Sequence, residues 1–192
     1  MLFLRLDQAL ELLRTCRNLK ETLAVRYFMF NGLSPMELSN GRIEHLDPVN
    51  CELFLPRRHW KNNQITDIDA ETVRLQIIYS GARKKGPLLV SRKTKGHYTS
   101  RGLWDLVKRI AARTNIANKE KITPLILKRT FAREYLMTEG NTVLELQGAF
   151  SHKHLWSTAH YLRFVLDDVK AGKKRMMEKI ENETAKSVRL VS

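Results

Sequence analysis

Cysteine is scarce in this chain of 192 residues, and long apolar segments are missing. Cys16 and Cys51 lie far apart and share no C-x-x-C or metal-ligand spacing, which favours a reduced, intracellular protein. No apolar run approaches the length of a membrane span, and the segment Met1–Arg5 is too short for a signal peptide. The sequence has no internal repeat and no low-complexity segment, so its length predicts one domain with a sizeable core.

Acidic residues are almost missing from one long basic stretch. Thirteen Lys or Arg residues lie between Gly81 and Lys128, where the only acids are Asp105 and Glu120, and the whole chain carries a formal charge of +14. Clustered cations gain affinity for polyanions because binding releases counterions from phosphates. The alternatives are a solvated surface and a membrane surface, but the stretch lacks an amphipathic, lipid-inserting pattern. We therefore predict a nucleic-acid partner and no membrane partner.

Hydrophobic periodicity predicts a helix-rich chain with one small sheet. Apolar residues recur at helical spacing in several segments, with the expected helices at Leu6–Cys16, Glu21–Phe30, Asp69–Gly81 and Ser100–Arg113, and a short one from Pro35. The first of these presents Leu6, Ala9, Leu10, Leu13 and Cys16 on its apolar side. Three short apolar segments between polar turns are strand candidates: Ile43–Leu46, Cys51–Leu55 and Gln64–Ile68. The predicted fold class is mixed α/β, mainly helical, with a small antiparallel β-sheet.

The segment from Thr123 to Tyr161 carries the residues with the most chemistry. The first of two predicted helices has an N-cap at Thr123, a first-turn proline at Pro124 and a closing glycine at Gly140. The second begins with a capping box formed by Thr142 and Glu145. Lys128 and Arg129 therefore lie on the first of these helices, and His152 and Tyr161 follow the second one in the chain.

This segment resembles the tyrosine recombinases, the family of the phage integrases, Xer and Cre. The second motif of that family reads His-x-x-Arg-His-Thr-Phe-Ala, and Leu125–Ala132 reads Leu-Ile-Leu-Lys-Arg-Thr-Phe-Ala. The third motif reads Leu-Gly-His with a nucleophilic tyrosine nine residues later, and Tyr161 follows His152 at that spacing. The first motif, Thr-Gly-Leu-Arg-x-x-Glu-Leu, is similar to Phe30–Leu38. The resemblance implies the fold of the recombinase catalytic domain.

The resemblance also implies an activity and its residues. Family members cleave DNA by attack of a tyrosine hydroxyl on a phosphodiester, which forms a 3′-phosphotyrosyl link. Tyr161 stands at the nucleophile position, His152 at the third-motif histidine and Lys128 at the second arginine. Lys61 is the preferred match for the general-acid lysine of the sheet hairpin, and Arg58 is the other. The alternatives are that Tyr161 is a core residue and that His152 is a solvated loop residue.

Three positions depart from the family pattern. Ser34 stands where the first arginine belongs, Leu125 replaces a histidine, and Lys128 keeps the charge of the second arginine without its planar fork. Ser34 has a structural explanation because, with Glu37, it forms the capping box of a helix. Two candidates for spatial substitution of the missing arginine are Arg26 and Arg42.

Two functions follow from this pattern. The first is an integrase or recombinase that cuts and rejoins DNA through Tyr161. The second is a catalytically inactive relative that binds DNA as an architectural or regulatory protein. An RNA-binding protein is a weaker alternative, because the sequence has no stacking-aromatic motif of an RNA-binding module.

Double-stranded DNA is the expected partner, and nine basic residues are expected to contact it: Arg58, Arg83, Lys84, Lys85, Arg92, Lys93, Lys95, Arg101 and Arg129. No cofactor and no metal are expected, because nothing completes a zinc set around His152 and His154. The expected location is the cytoplasm, in association with the nucleoid.

The C-terminal residues form a separate region in this interpretation. Residues 1–171 are the expected recombinase-like domain, beginning where the catalytic domain of relatives begins, and residues 172–192 are a basic C-terminal helix or tail. Gly172 offers a hinge, and an apolar stripe follows at Met176, Met177 and Ile180. In relatives a terminal helix crosses to the neighbouring protomer, which implies self-association on DNA. The alternative is that the stripe folds back on its own domain.

Overall fold

Eight helices and three short strands follow one another in the part of the chain that the computed structural model describes. The described residues are 3–56, 64–92, 94–150, 152–159, 161, 174, 176–178 and 180–181. The α-helices are α1 Leu6–Arg14, α2 Leu19–Met29, α3 Pro35–Asn40, α4 Ala70–Ser80, α5 Ser100–Ala111, α6 Pro124–Met137, α7 Val143–Ala149 and α8 Leu155–Ala159. The strands are β1 Leu46–Asp47, β2 Glu52–Leu55 and β3 Gln64–Asp67, with 3-10 turns at Ile43–His45 and Lys119–Lys121.

The three strands form one antiparallel sheet in the order β1-β2-β3. Leu53 of β2 pairs with Leu46 and with Thr66, and the side chains alternate between buried and accessible along β2 and β3. The predicted fold class, mainly helical with a small antiparallel sheet, is confirmed. The strand expected at Ile43–Leu46 is largely a 3-10 turn, because the His45 amide bonds back to the Arg42 carbonyl before pairing begins.

Helix α2 lies at the centre of the main core. It packs against α4, α5 and α6, and Leu23, Tyr27 and Phe28 are fully buried. The hydroxyl of Tyr27 donates to Oε1 of Gln76 at 3.0 Å, so its one polar atom is satisfied inside the core. The helix predicted at Glu21–Phe30 is present as α2, and most of its residues are buried.

The helix starts follow the predicted cap signals. Side chains accept hydrogen bonds from amides in the first turn of α3, α4, α6 and α7, at Ser34, Asp69, Thr123 and Thr142. Ser34 with Glu37 and Thr142 with Glu145 form complete capping boxes. Each such cap stabilises its helix by roughly 1 kcal/mol and determines where the helix begins.

Helix α1 turns most of its predicted apolar side towards the core. Ala9 is buried, and Leu13 and Cys16 pack against the core. Leu6 and Leu10 are exposed, whereas Leu12, which was not predicted on this side, is buried. The chain before α1 docks on α6, where the Leu4 amide donates to the Thr130 hydroxyl at 2.9 Å.

A second, smaller cluster of apolar residues joins α6 to α7. Ala132, Leu146 and Phe150 are buried in it, and the partly buried Phe131 and Tyr161 pack against them. The backbone at Gly32 approaches this cluster closely with a positive φ of 62°. The loop before α3 is therefore held directly against the rings of Phe131 and Phe150.

The tail region is described only in part. The helical residues Met176, Met177 and Ile180 are exposed, and Lys174 pairs with Glu178 at 3.8 Å. Gly172, the expected hinge, lies outside the described residues, and the division at residues 171 and 172 stays a prediction. Among the described helices, none combines the length and apolar character needed to cross a membrane.

Replacement of Gly32 by alanine tests the close approach. A Cβ at this position would lie 2.8 Å from ring atoms of Phe131 and 2.9 Å from Phe150, on a backbone that disfavours L side chains. We expect Gly32→Ala to lower the free energy of unfolding by at least about 2 kcal/mol in chemical denaturation. Gly148→Ala is the matched control, because a Cβ on this α7 residue meets no atom within 4 Å. The control should gain about 0.5–1 kcal/mol, and equal stability of the two variants would contradict the packing described.

Candidate active site

The last two helices of the described domain bring His152 and Tyr161 together. After α7 ends at Ala149, the His152 amide donates to the Gln147 carbonyl at 3.0 Å, and the Gln147 amide group donates back to the His152 carbonyl at 2.9 Å. The short helix α8 then leads to Tyr161. The two residues predicted from the third family motif therefore meet in space.

Three aromatic rings pack together at this point. The ring centroids of His152 and Tyr161 are 5.7 Å apart in a stacked arrangement, and Phe150 lies 5.0 Å from Tyr161 and 5.2 Å from His152. Aromatic contacts at these distances stabilise a fixed mutual orientation. Phe150 is thus the support against which both candidate catalytic rings rest.

Thr158 links the same two residues and was missed by the sequence analysis. Its hydroxyl oxygen lies 2.9 Å from Nδ1 of His152, and its carbonyl accepts the Tyr161 amide at 2.8 Å. The residue is fully buried. Spacing offered a weak signal, because a threonine three residues before the tyrosine lies one turn back on the same face of a helix.

Lys128 is buried beneath this ring cluster. Only 4% of the residue is exposed, and its Nζ lies 3.7 Å from Oε2 of Glu37. The same Nζ is 4.2 Å from the Phe150 ring centroid and 5.7 Å from that of Tyr161. Cation–π attraction and the Glu37 carboxylate together compensate for the loss of water around the ammonium.

Glu37 connects Lys128 to the first motif. Its Oε2 accepts the Ser34 amide at 2.6 Å while its own amide donates to the Ser34 hydroxyl at 3.2 Å. The capping role predicted for Ser34 is confirmed. One carboxylate therefore completes the cap of α3 and pairs with the buried ammonium from α6.

The hydroxyl of Tyr161 is in a mixed electrostatic environment. Burial raises its pKa above the usual range, the negative charge of Glu37 raises it further, and the positive charge of Arg129 lowers it. Arg129, which is half-buried on α6, is thus the neighbouring arginine whose charge stabilises the tyrosinate form. For Tyr161 to act as a nucleophile, its tyrosinate form must be stabilised further when the substrate is bound.

The two arginines considered as spatial substitutes have other contacts. The guanidinium of Arg26 binds Asp69 and the Thr72 hydroxyl between α2 and α4. Arg42 pairs with Glu44 at 2.7 Å beside the 3-10 turn. Both groups are therefore engaged in ion pairs in this structure.

The expected DNA-contacting residues lie mostly at the surface. Lys84, Lys85, Arg92, Lys95 and Arg101 are exposed, and Arg83 is half-buried, with its guanidinium over the Tyr79 ring and donating to the Pro87 carbonyl. Arg58, Lys61 and Lys93 lie outside the described residues. Roles in DNA binding and catalysis stay predictions for all of these residues.

Helix α8 carries an exposed tryptophan between His152 and Tyr161 in the chain. Trp156 is 73% exposed, and its ring stacks with that of His154 at a centroid distance of 6.3 Å. His154 and His152 point to different partners, since His152 bonds Thr158. Within the described residues, no group of three or more His, Cys, Asp or Glu side chains is arranged to hold a metal ion.

Comparison with known proteins gives a consistent likeness. No family model matches the chain. A curated relative, Tyrosine recombinase XerA of Saccharolobus solfataricus, is 26% identical over 171 residues, which are 85% of this chain and 52% of the relative. The chain therefore spans about half the length of the curated relative that it matches.

The solved structures that this chain resembles are also recombinases and integrases. A crystal structure of XerA recombinase superimposes with a TM-score of 0.76 at 19% identity, over 89% of this chain and 62% of that one. XerH recombinase bound to its difH substrate gives a TM-score of 0.71 at 17% identity, over 88% and 52%. A lambda integrase dimer bound to a core site gives 0.66 at 15% identity, over 83% and 47%. The chain has the fold of the tyrosine recombinase catalytic domain, as its motifs predicted.

Replacement of Lys128 by methionine tests the buried ion pair. Methionine keeps the length of the side chain but leaves Glu37 without its ammonium partner. We expect Lys128→Met to lower the free energy of unfolding by about 2–4 kcal/mol in urea denaturation. The control Lys84→Met removes an exposed lysine and should change stability by less than about 0.5 kcal/mol. If both variants are equally stable, the Lys128 ammonium is not held as described.

Proposed function

We propose that this chain, which has the fold of the tyrosine recombinase catalytic domain, binds double-stranded DNA and cleaves and rejoins its strands through Tyr161. The observation that carries the proposal is the junction of His152 and Tyr161, whose rings stack 5.7 Å apart beside the charge of Arg129. The XerH and lambda integrase neighbours were solved with DNA. A basic stretch with thirteen cations supplies the charge that a duplex partner requires.

The proposed reaction has two halves. In the first, the Tyr161 oxygen attacks a backbone phosphorus, the bond from phosphorus to the 5′ oxygen breaks, and a 3′-phosphotyrosyl link forms. The leaving 5′ oxygen takes a proton from Lys61, and the tyrosine proton passes to solvent or a neighbouring base. In the second half, a 5′ hydroxyl attacks the phosphorus of the link and gives its proton back to Lys61, the bond from phosphorus to the Tyr161 oxygen breaks, and that oxygen regains a proton from solvent or a neighbouring acid. The bond energy is thereby conserved for rejoining.

The charge on the phosphoryl oxygens would be stabilised by residues around the tyrosine. Arg129 provides a guanidinium, His152 provides a ring N–H, and the buried Lys128 provides positive potential from below. Ser34 contributes no charge, because its side chain caps α3. Loss of one such stabiliser costs on the order of 100- to 1,000-fold in rate. We therefore expect slow turnover compared with relatives that keep both arginines.

A second candidate function is DNA binding without cleavage. The specific observation in its favour is that Lys128 is bound to Glu37 and almost fully buried, while the pKa of Tyr161 is raised. In this case the protein acts as an architectural or regulatory partner on DNA. For both candidate functions we expect the protein in the cytoplasm, in association with the nucleoid. Fluorescence microscopy of a tagged chain checks this location.

A nicked suicide substrate distinguishes the two functions. The nick lets the cleaved fragment diffuse away, so a covalent protein–DNA adduct accumulates and is visible by denaturing electrophoresis. We expect an adduct with the unaltered chain and none with Tyr161→Phe, since phenylalanine has no nucleophilic oxygen. Tyr135→Phe is the matched control, because Tyr135 packs in the same cluster and should leave the adduct unchanged. Absence of any adduct with folded, DNA-bound protein favours the architectural function.

Salt dependence tests the DNA interface. Binding of duplex should weaken steeply with salt, and the double variant Lys84→Gln, Lys85→Gln should reduce the slope of log affinity against log salt by about 0.9 for each lost phosphate contact. The control double variant Arg5→Gln, Arg74→Gln removes the same charge from residues paired with Asp7 and Glu71. A fluorescence titration in which both variants show the same slope would place the interface elsewhere.

We also propose that residues 172–192 connect protomers on DNA. The apolar residues Met176, Met177 and Ile180 are exposed, and a short amphipathic helix needs a surface against its apolar side to be stable. The excess positive charge of each chain opposes association until duplex neutralises it.

Light scattering on the full chain and on a chain ending at Ala171 tests this connection. The full chain should be a monomer in free solution and should form larger assemblies with duplex, whereas the shortened chain should bind duplex singly. Identical masses of the two DNA-bound species would exclude the tail as the connector and favour the alternative in which it folds back.

A further inference from the structure

Thr158 occupies a position that no motif assignment explains. It lies fully buried on α8 between the two residues of the candidate site. Its hydroxyl oxygen is 2.9 Å from Nδ1 of His152, and its carbonyl oxygen is 2.8 Å from the amide nitrogen of Tyr161. One residue thus contacts the ring of the histidine and fixes the main chain at the tyrosine.

The direction of the hydroxyl hydrogen bond decides what His152 can do. A threonine hydroxyl can donate or accept, and a neutral imidazole carries its proton on one nitrogen only. If Nδ1–H donates to Thr158, the other ring nitrogen, Nε2, is an acceptor. If the hydroxyl donates to Nδ1, then Nε2 carries the proton and is a donor. Phosphoryl oxygens only accept, so a neutral His152 serves a phosphate only in the second arrangement.

Burial of Thr158 favours the second arrangement. Two other buried threonines, Thr130 and Thr114, give their proton to a carbonyl one turn earlier, at Ile126 (2.9 Å) and Ala111 (2.8 Å). For Thr158, the hydrogen bond found within the described residues is the one to Nδ1 of His152. A hydroxyl proton buried without an acceptor destabilises a fold, so Nδ1 is the acceptor that the surroundings of Thr158 provide.

We propose that Thr158 is a positioning residue that donates its hydroxyl proton to His152 and holds the imidazole in the Nε2–H form, ready to donate to a phosphate oxygen. The catalytic part of this inference rests on the proposed function of Tyr161. The ring form of His152 in the absence of DNA does not, because it is argued from the contact with Thr158.

Nitrogen NMR of the free full-length chain tests the proposal without any DNA. Long-range proton–nitrogen correlations distinguish the two neutral forms of histidine, and the His152→Gln variant assigns the signals. We expect His152 in the Nε2–H form in the unaltered chain. Thr158→Val keeps the shape but removes the hydroxyl, and should convert His152 to a mixture of the two forms. Thr158→Ser should restore the Nε2–H form.

Internal controls separate positioning from folding. The signals of His45, which lies against Phe54 beside the sheet, should be the same in all variants if the fold is intact. An Nδ1–H form of His152 in the unaltered chain would overturn the proposal. An unchanged Nε2–H form in a folded Thr158→Val variant would overturn it as well.

The adduct assay then measures the catalytic consequence. In a folded Thr158→Val protein, we expect the rate of adduct formation to fall at least about tenfold with unchanged affinity for duplex, and Thr158→Ser to recover most of the rate. An unchanged rate in Thr158→Val would overturn the catalytic part. If NMR gives the expected forms but the unaltered chain makes no adduct, the positioning inference stands and the proposed cleavage function fails.

Discussion

The Glu37 carboxylate is the group on which the rest of the candidate site depends. It accepts the Ser34 amide at the start of α3 and holds the buried Lys128 ammonium on α6. That ammonium lies under the Phe150 ring, which in turn supports Tyr161. A cap worth roughly 1 kcal/mol and a buried ion pair thus share one side chain, so the helix start and the floor of the site are coupled.

Much of the fold was predictable because local chemistry specified it. The capping boxes at Ser34 and Thr142 depend only on residues three apart, and both form as expected. The apolar residues of α2 predicted a helix, and it lies at the centre of the main core. The meeting of His152 and Tyr161 followed from the spacing of a known motif rather than from periodicity. Their roles in a reaction stay predictions.

What the sequence did not reveal depends on contacts between distant segments. The segment before α1 is held by the hydrogen bond from the Leu4 amide to the hydroxyl of Thr130, which lies more than a hundred residues away in the chain. The depth at which Lys128 is buried depends on Glu37 and Phe150 together, and no single spacing encodes that arrangement. Thr158 was overlooked because a threonine on a short helix has no distinctive pattern until its neighbour across the turn is known.

Trp156 gives the molecule an optical reporter of its own. Its indole is 73% exposed, stacks beside the His154 imidazole and is five residues from Tyr161. Indole emission shifts to shorter wavelength when water is excluded from the ring. Whatever covers this end of α8, whether nucleic acid or a second protomer, will therefore change the colour of the Trp156 fluorescence. With the other two tryptophans, Trp60 and Trp104, replaced by phenylalanine, the approach of a partner to the candidate site can be followed in real time without attaching a dye.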